Sequence, residues 1–161
     1  MIMIKAVYAG TFDPITNGHL DMIKRALALF DEVHVVIFDN PVKATLFSID
    51  ERLAMIHEAT KDLQHIIIAA SDKLAVEYCE EVGAKVLVRG IRATNDYHYE
   101  SMMAYSNKFL DENIEEVFLM TRLDYTFVSS SAIKEIASHH RDVSTLVPDC
   151  VNKALKEKYH S

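Results

Sequence analysis

The stretch GTFDPITNGHLDMIKRA (Gly10–Ala26) decides how the chain is read. It follows an apolar run, IMIKAVYA (2–9), and leads into Leu20, Ile23, Leu27 and Phe30, spaced three and four apart. The run predicts a buried strand, and the spacing predicts an amphipathic helix. The join between them holds two of the chain's four glycines and one of its three prolines. Gly10 predicts a close turn with room for a ligand, Asp13-Pro14 a further turn, and Gly18 the opening of the helix with His19 in its first turn. A helix N-terminus offers free N–H groups and a partial positive charge, which suits phosphate. The loop contains neither G-x-G-x-x-G nor Gly-Lys-Ser/Thr, so it is neither a dinucleotide fingerprint nor a Walker A loop.

The same alternation continues along the chain. VHVVIF (33–38), IIIAA (66–70), KVLV (85–88) and EVFLM (116–120) predict four more strands. Between them, Ser48-Ile49-Asp50-Glu51 is a capping box that opens a helix to about Thr60, with Leu53, Ile56 and Ala59 inward. Asp72 is the expected cap of the next helix, with Leu74, Tyr78 and Val82 on its apolar side and Gly83 as its stop. A longer helix is expected over 95–111, with Tyr99, Met102, Met103 and Phe109 buried. A helix from Ser129 to about Ser138 and a last one over about 149–158, following Pro148, complete the pattern. Strands alternating with helices imply an α/β fold, a Rossmann-like doubly wound sheet of five parallel strands with helices on both faces. Ligands of such sheets bind beyond the carboxyl ends of the strands. The segments to inspect are therefore 10–12, 39–43, 71–73, 89–92 and 121–131.

With 161 residues, half of them hydrophobic, the chain predicts a single domain, 1–161, with an adequate core. Seventeen Lys and Arg against 24 Asp and Glu give a net charge of -7, which argues against a nucleic-acid partner. No apolar stretch approaches the ~20 residues of a membrane span, and the N-terminus lacks the pattern of a signal peptide. Cys79 and Cys150 stand alone, and Cys79 reads as a core residue, which fits a reducing, cytoplasmic setting. His34, His57, His65, His98, His139, His140 and His160 form no metal triad, and His139-His140 reads as a solvated helix end.

Thr16-x-Gly18-His19 resembles the T/H-x-G-H motif of the nucleotidyltransferase superfamily. YAGTFDPITNGHLD, NPVKATLFSIDER, VRGIRATNDYHYE and VSSSAIKEIA together resemble the bacterial phosphopantetheine adenylyltransferases, in order and spacing, over essentially the whole chain. That resemblance implies transfer of AMP from ATP to 4′-phosphopantetheine, giving dephospho-CoA and pyrophosphate in coenzyme A biosynthesis. The attacking phosphate is already an anion, so positioning and charge stabilisation carry the reaction and no general base is needed.

The resemblance also implies roles for individual residues. His19 matches the family's transition-state stabiliser, with Lys43 and Arg92 as its catalytic companions. Thr11, Phe12, His19, Gly90, Ile91, Arg92 and Glu100 match ATP contacts, and so does the run Tyr125, Thr126, Phe127, Val128, Ser129, Ser130 and Ser131. Thr11, Lys43, Leu74, Ala75, Arg89 and Asn107 match the acceptor side. Met102, Met103 and Tyr105 stand on the helix expected to line the far end of that pocket. Each has a plainer reading: a turn hydroxyl for Thr11, core packing for Phe12, a solvated charge for Lys43, a helix cap for Ser129. For Arg89 and Arg92 it is ion pairing with Asp96 or Glu100, and Glu100 itself could orient an arginine or approach the metal or ribose. Mg²⁺ is implied with ATP, held by phosphate oxygens and water without a dedicated protein metal site. Feedback by CoA and assembly into hexamers are implied as well. Ala9, Ala44, Thr121 and Arg122 depart from the commoner family residues and leave the reactive positions in place. The rival readings are another small nucleotidyltransferase, acting on nicotinate mononucleotide or a phosphorylated alcohol, and a non-catalytic nucleotide or CoA sensor, which would be expected to lose His19 or Lys43.

Overall fold

A computed structural model describes residues 1–160. The strands are β1 (Lys5–Gly10), β2 (Glu32–Phe38), β3 (Ile66–Ser71), β4 (Val86–Ile91) and β5 (Glu115–Met120). They form one parallel sheet in the order β3-β2-β1-β4-β5. The helices are α1 (Asn17–Leu29), α2 (Ile49–Ala59), α3 (Ala75–Val82), α4 (Thr94–Leu110), α5 (Ser130–Ser138) and α6 (Asp149–His160). Both faces of the sheet are covered, as expected of a doubly wound fold. On one face Tyr8, Val33, Val35, Ile37 and Val88 pack with Ile23 of α1, Ile56 of α2, Ile133 of α5 and Leu155 of α6. On the other, Val7, Val36 and Leu87 pack with Val76 and Cys79 of α3.

The chain reverses direction across the sheet between β1 and β4, and this seam has the shortest ladder. Its last rung is Tyr8 with Val88. β1 stays paired to β2 through Gly10–Ile37, and β4 to β5 through Ile91–Met120. Beyond Tyr8 the two central strands therefore separate at their carboxyl ends, which is where open α/β sheets hold ligands.

Several local expectations hold. Ser48 Oγ accepts the Glu51 N–H and Glu51 Oε2 accepts the Ser48 N–H, closing the capping box of α2. Gly83 ends α3 with φ 71°, the left-handed conformation that favours glycine. Ser129 caps α5 through the Ala132 N–H, and His139-His140 is an exposed helix end. Cys79 is fully buried.

Others are corrected. The first strand begins at Lys5 rather than residue 2, because no rung exists before Lys5–Glu32; Ile2, Met3 and Ile4 stay exposed. Asp72 does not cap α3. The cap position is Leu74, whose N–H is taken by Glu77, so Leu74 lies exposed rather than on the apolar side. β4 runs on to Ile91, so Arg89, Gly90 and Ile91 are strand residues paired to Phe118, Leu119 and Met120 rather than loop residues. A short 3₁₀ turn, Leu123–Tyr125, separates β5 from α5. The last helix extends to His160. On α4, Tyr99, Met102, Met103 and Phe109 are exposed, because no second layer covers that surface within the chain.

Candidate active site

The separation of β1 from β4 opens a cavity of about 350 Å³. Tyr8, Thr11, His19, Lys43, Arg89, Gly90, Arg92, Glu100, Tyr125, Val128, Ser129, Ser130, Ser131 and Lys134 line it, with Phe12, Asp13 and Asp96. The T-x-G-H loop, the NPVK lysine, the RGIR arginines and the serine helix are therefore brought to one place. Ile91, Leu74, Ala75, Asn107, Thr126 and Phe127 do not line this cavity. Ile91 is buried in the sheet, and Asn107 donates from Nδ2 to Glu116 Oε1 at 2.5 Å.

His19 is fixed by an unusual capping box. Thr16 is the N-cap of α1, and its Oγ1 accepts the His19 N–H at 3.3 Å. The reciprocal acceptor, commonly a Glu or Gln carboxyl or amide, is here the imidazole itself: Nδ1 takes the Thr16 N–H at 3.0 Å. A nitrogen that accepts from a backbone N–H carries no proton, so the neutral ring bears its proton on Nε2. Among the described residues Nε2 has no protein partner. Burial and the neighbouring Arg92 guanidinium hold the imidazole pKa down at about 4. At neutral pH the residue is thus an uncharged donor of defined orientation, standing edge-on to Phe12 with ring centroids 5.0 Å apart.

Phe12 and Gly10 have changed parts. The Phe12 ring is buried, and its backbone takes φ 48°, a left-handed conformation that bulky side chains rarely adopt. A Cβ on Gly10 would stand 2.9 Å from that ring. The glycine therefore makes room for the chain's own phenylalanine rather than for a ligand. Any contact of Phe12 with a nucleotide falls to its main chain.

The arginines are held in place by carboxylates, so the plainer reading of each is present alongside any function. Arg89 meets Glu100 in a bidentate pair, Nε to Oε2 at 2.7 Å and Nη2 to Oε1 at 3.1 Å, while Nη1 donates to the Ala9 carbonyl at 3.1 Å. Burial opposes its charge, yet Glu100 outweighs that and raises its pKa. Of the parts open to Glu100, the one it plays here is orienting an arginine. Arg92 donates from Nε to Asp96 at 3.1 Å and from Nη1 to the Val128 carbonyl at 3.3 Å. The loop after β2 folds over an Asn40 turn, which accepts the Val42 and Lys43 N–H groups. It carries the Lys43 ammonium to 3.5 Å from Thr11 Oγ1.

Sequence reasoning missed three supporting side chains. Asp13 is buried in the loop, accepting the Leu46 and Phe47 N–H groups at 2.9 Å each and the Lys134 ammonium at 2.8 Å. Burial pushes its pKa up, but Lys134 and the two N–H groups together pull it below the ordinary value. Arg52, also buried, donates from Nη1 to the Thr11 carbonyl at 2.9 Å. Lys134 was legible only as part of VSSSAIKEIA, one helical turn beyond Ser130. Ser130 itself donates from Oγ to the Pro14 carbonyl at 2.8 Å, so α5 is fastened to the first loop at two points.

Among the described residues no three His, Cys, Asp or Glu side chains converge as a metal site. The cavity carboxylates Asp13, Asp96 and Glu100 each face a cation. This donor set fits a metal carried on a ligand's phosphates better than one caged by the protein. No helix among the described residues is long and apolar enough to cross a membrane.

The profile of the cytidylyltransferase-like family matches residues 7–136. The phosphopantetheine adenylyltransferase of Staphylococcus haemolyticus (strain JCSC1435) is 43% identical over 159 residues, 99% of both chains. That of Staphylococcus carnosus (strain TM300) is 43% identical over 155 residues, 96% of both. With its histidine-capped loop at the seam of a parallel sheet and this identity over nearly its full length, the chain belongs to the phosphopantetheine adenylyltransferase family of nucleotidyltransferases.

Proposed function

We propose that the chain, as one nucleotidyltransferase domain, binds ATP and 4′-phosphopantetheine side by side in this cavity and joins them. A phosphate oxygen of the acceptor attacks the α-phosphorus of ATP in line; the new P–O bond forms as the bond to pyrophosphate breaks, leaving dephospho-CoA. The observation that carries this reading is the neutral His19, locked through Nδ1 with its Nε2–H unpartnered in the cavity wall. Such a donor stabilises charge growing on an α-phosphoryl oxygen without taking a proton, which suits a nucleophile that is already an anion.

Lys43, Thr11 and Arg89 hold the acceptor phosphate in this scheme, with Leu74, Ala75 and Asn107 farther along the acceptor arm. Arg92, Gly90, Tyr125, Val128 and Ser129–Ser131 hold the nucleotide, whose phosphates meet the N-terminal end of α5. Glu100 contributes by fixing Arg89, and Thr11 and the Phe12 main chain stand between the two substrates. Mg²⁺, bound to the ATP phosphates and water, would neutralise part of the triphosphate charge. CoA shares the chemistry of the product and would compete for the cleft as a feedback ligand. Exposed Tyr99, Met102, Met103, Tyr105 and Phe109 along α4 support assembly with further copies of the chain, a hexamer by family likeness. Free thiols at Cys79 and Cys150 fit a cytoplasmic enzyme.

The decisive measurement is pyrophosphate release with ATP and 4′-phosphopantetheine, with Mg²⁺ present and absent. Release is expected only when both substrates are supplied, and it falls when Mg²⁺ is withheld. No release with the full mixture would sink the reading.

A further inference from the structure

Tyr8 is the last β1 residue paired to β4, and its side chain forms the floor of the cavity. The residue is only 6% exposed. Its ring has clear packing partners, standing edge-on to Phe12 with centroids 5.5 Å apart and tilted toward His19 at 6.4 Å. A phenylalanine would make the same contacts, so packing does not account for the hydroxyl. Among the described residues no protein group hydrogen-bonds to it. Nor is it sealed away, because the one buried side-chain atom left without a partner among those residues is Glu116 Oε2. The hydroxyl therefore opens on the cleft.

Arg89, Arg92, Asp96 and Glu100 line the same cavity. Glu100 is already committed to Arg89, and Asp96 to Arg92. Burial keeps the phenol protonated far above neutral pH. What remains is a rigid neutral donor lining the same cavity as the fixed Arg89 guanidinium, facing a space without a protein acceptor among the described residues. That combination recognises an anionic oxygen: the guanidinium supplies the charge and the phenol a directed O–H.

We propose that the Tyr8 hydroxyl donates a hydrogen bond to the phosphate of 4′-phosphopantetheine, alongside Arg89. This rests on the reading of the cleft as an adenylyl-transfer site with the acceptor phosphate at Arg89. Tyr8 is then a substrate-binding residue whose place in an apolar strand, at the head of YAGTFDPITNGHLD, reads as core.

The test is Tyr8→Phe, which removes one oxygen and keeps the ring. Calorimetric titration of 4′-phosphopantetheine onto the wild-type protein and the variant is expected to give about ten-fold weaker binding for the variant, the loss typical of a hydrogen bond to a charged group. Titration of ATP is expected to give equal affinities, and the Tm of the two proteins should agree. Equal affinity for 4′-phosphopantetheine would overturn the proposal. So would a loss confined to ATP, or the absence of phosphopantetheine binding to either protein. Pyrophosphate release by the wild type is measured separately: its failure, with the binding difference intact, would remove the catalytic reading and leave Tyr8 as a phosphate donor.

Discussion

His19→Ala is expected to lower kcat by about 10²–10³-fold while ATP affinity changes little. That is the usual loss when one preorganised donor to a developing oxyanion is removed. Direct titration of ATP and initial-rate measurement of pyrophosphate release separate the two effects. Alanine also deletes the acceptor of the Thr16 N–H, so the helix start should weaken by roughly 1 kcal/mol. His19→Gln distinguishes these contributions, because Gln at the same position can close an ordinary capping box. Its Tm should stay near that of the wild type while its kcat falls. A Gln variant with wild-type turnover would contradict the role given to Nε2.

The same residue leaves a signature in acid. Its folded pKa of about 4 lies below the ordinary 6.5, so between those values the unfolded chain binds a proton that the folded chain refuses. The stability involved is fully present above pH 6.5 and drains away as pH falls toward 4. His19→Gln should flatten that part of the stability profile.

Asp13→Ala is the substitution expected to cost the most stability. It strands the Leu46 and Phe47 N–H groups and leaves the Lys134 ammonium, whose side chain is 25% exposed, without its carboxylate. Losing one partner of a buried pair with two further hydrogen bonds should cost roughly 3 kcal/mol. For a chain of this length that lowers Tm by about 10 °C. The damage should extend to the 39–47 loop and hence to Lys43, so the acceptor's KM should rise with it. Asp13→Asn keeps one backbone acceptor and should fall between the two. Because the folded pKa lies below the ordinary 3.8, the Asp13 contribution is complete above that pH and disappears as pH falls through the lowered value. An alanine variant as stable as the wild type would show that the loop is held by other contacts.

These two residues mark where the sequence was legible and where it was not. His19 stands in a local pattern of glycine, hydroxyl and helix spacing, so its place at a strand-to-helix join could be read directly. Asp13, three residues past the first glycine, looked like an ordinary turn former. Its partners lie 33, 34 and 121 residues away, and no short-range pattern carries such separations. Arg52 was hidden in the same way, its bond to Thr11 spanning 41 positions. The strand and helix order followed from periodicity, but α4 did not obey it. Periodicity says that a face is apolar, not that the chain supplies a layer to cover it. The extension of β4 through Ile91 also escaped, because Arg89 and Gly90 interrupt an apolar run while neighbouring β5 continues to pair with them.

Arg89 draws one consequence from the short seam between β1 and β4. Just past the last rung, its Nη1 takes the Ala9 carbonyl while its other nitrogens hold Glu100. A side chain thus performs the stitch that backbone pairing gives up in order to open the cleft. One planar fork serves as a mason's tie and, in the proposed scheme, as a recognition group as well. A lysine at that position, with a single ammonium, would have to choose among carbonyl, carboxylate and phosphate. Conservative exchange of charge at Arg89 is therefore also a change to the building.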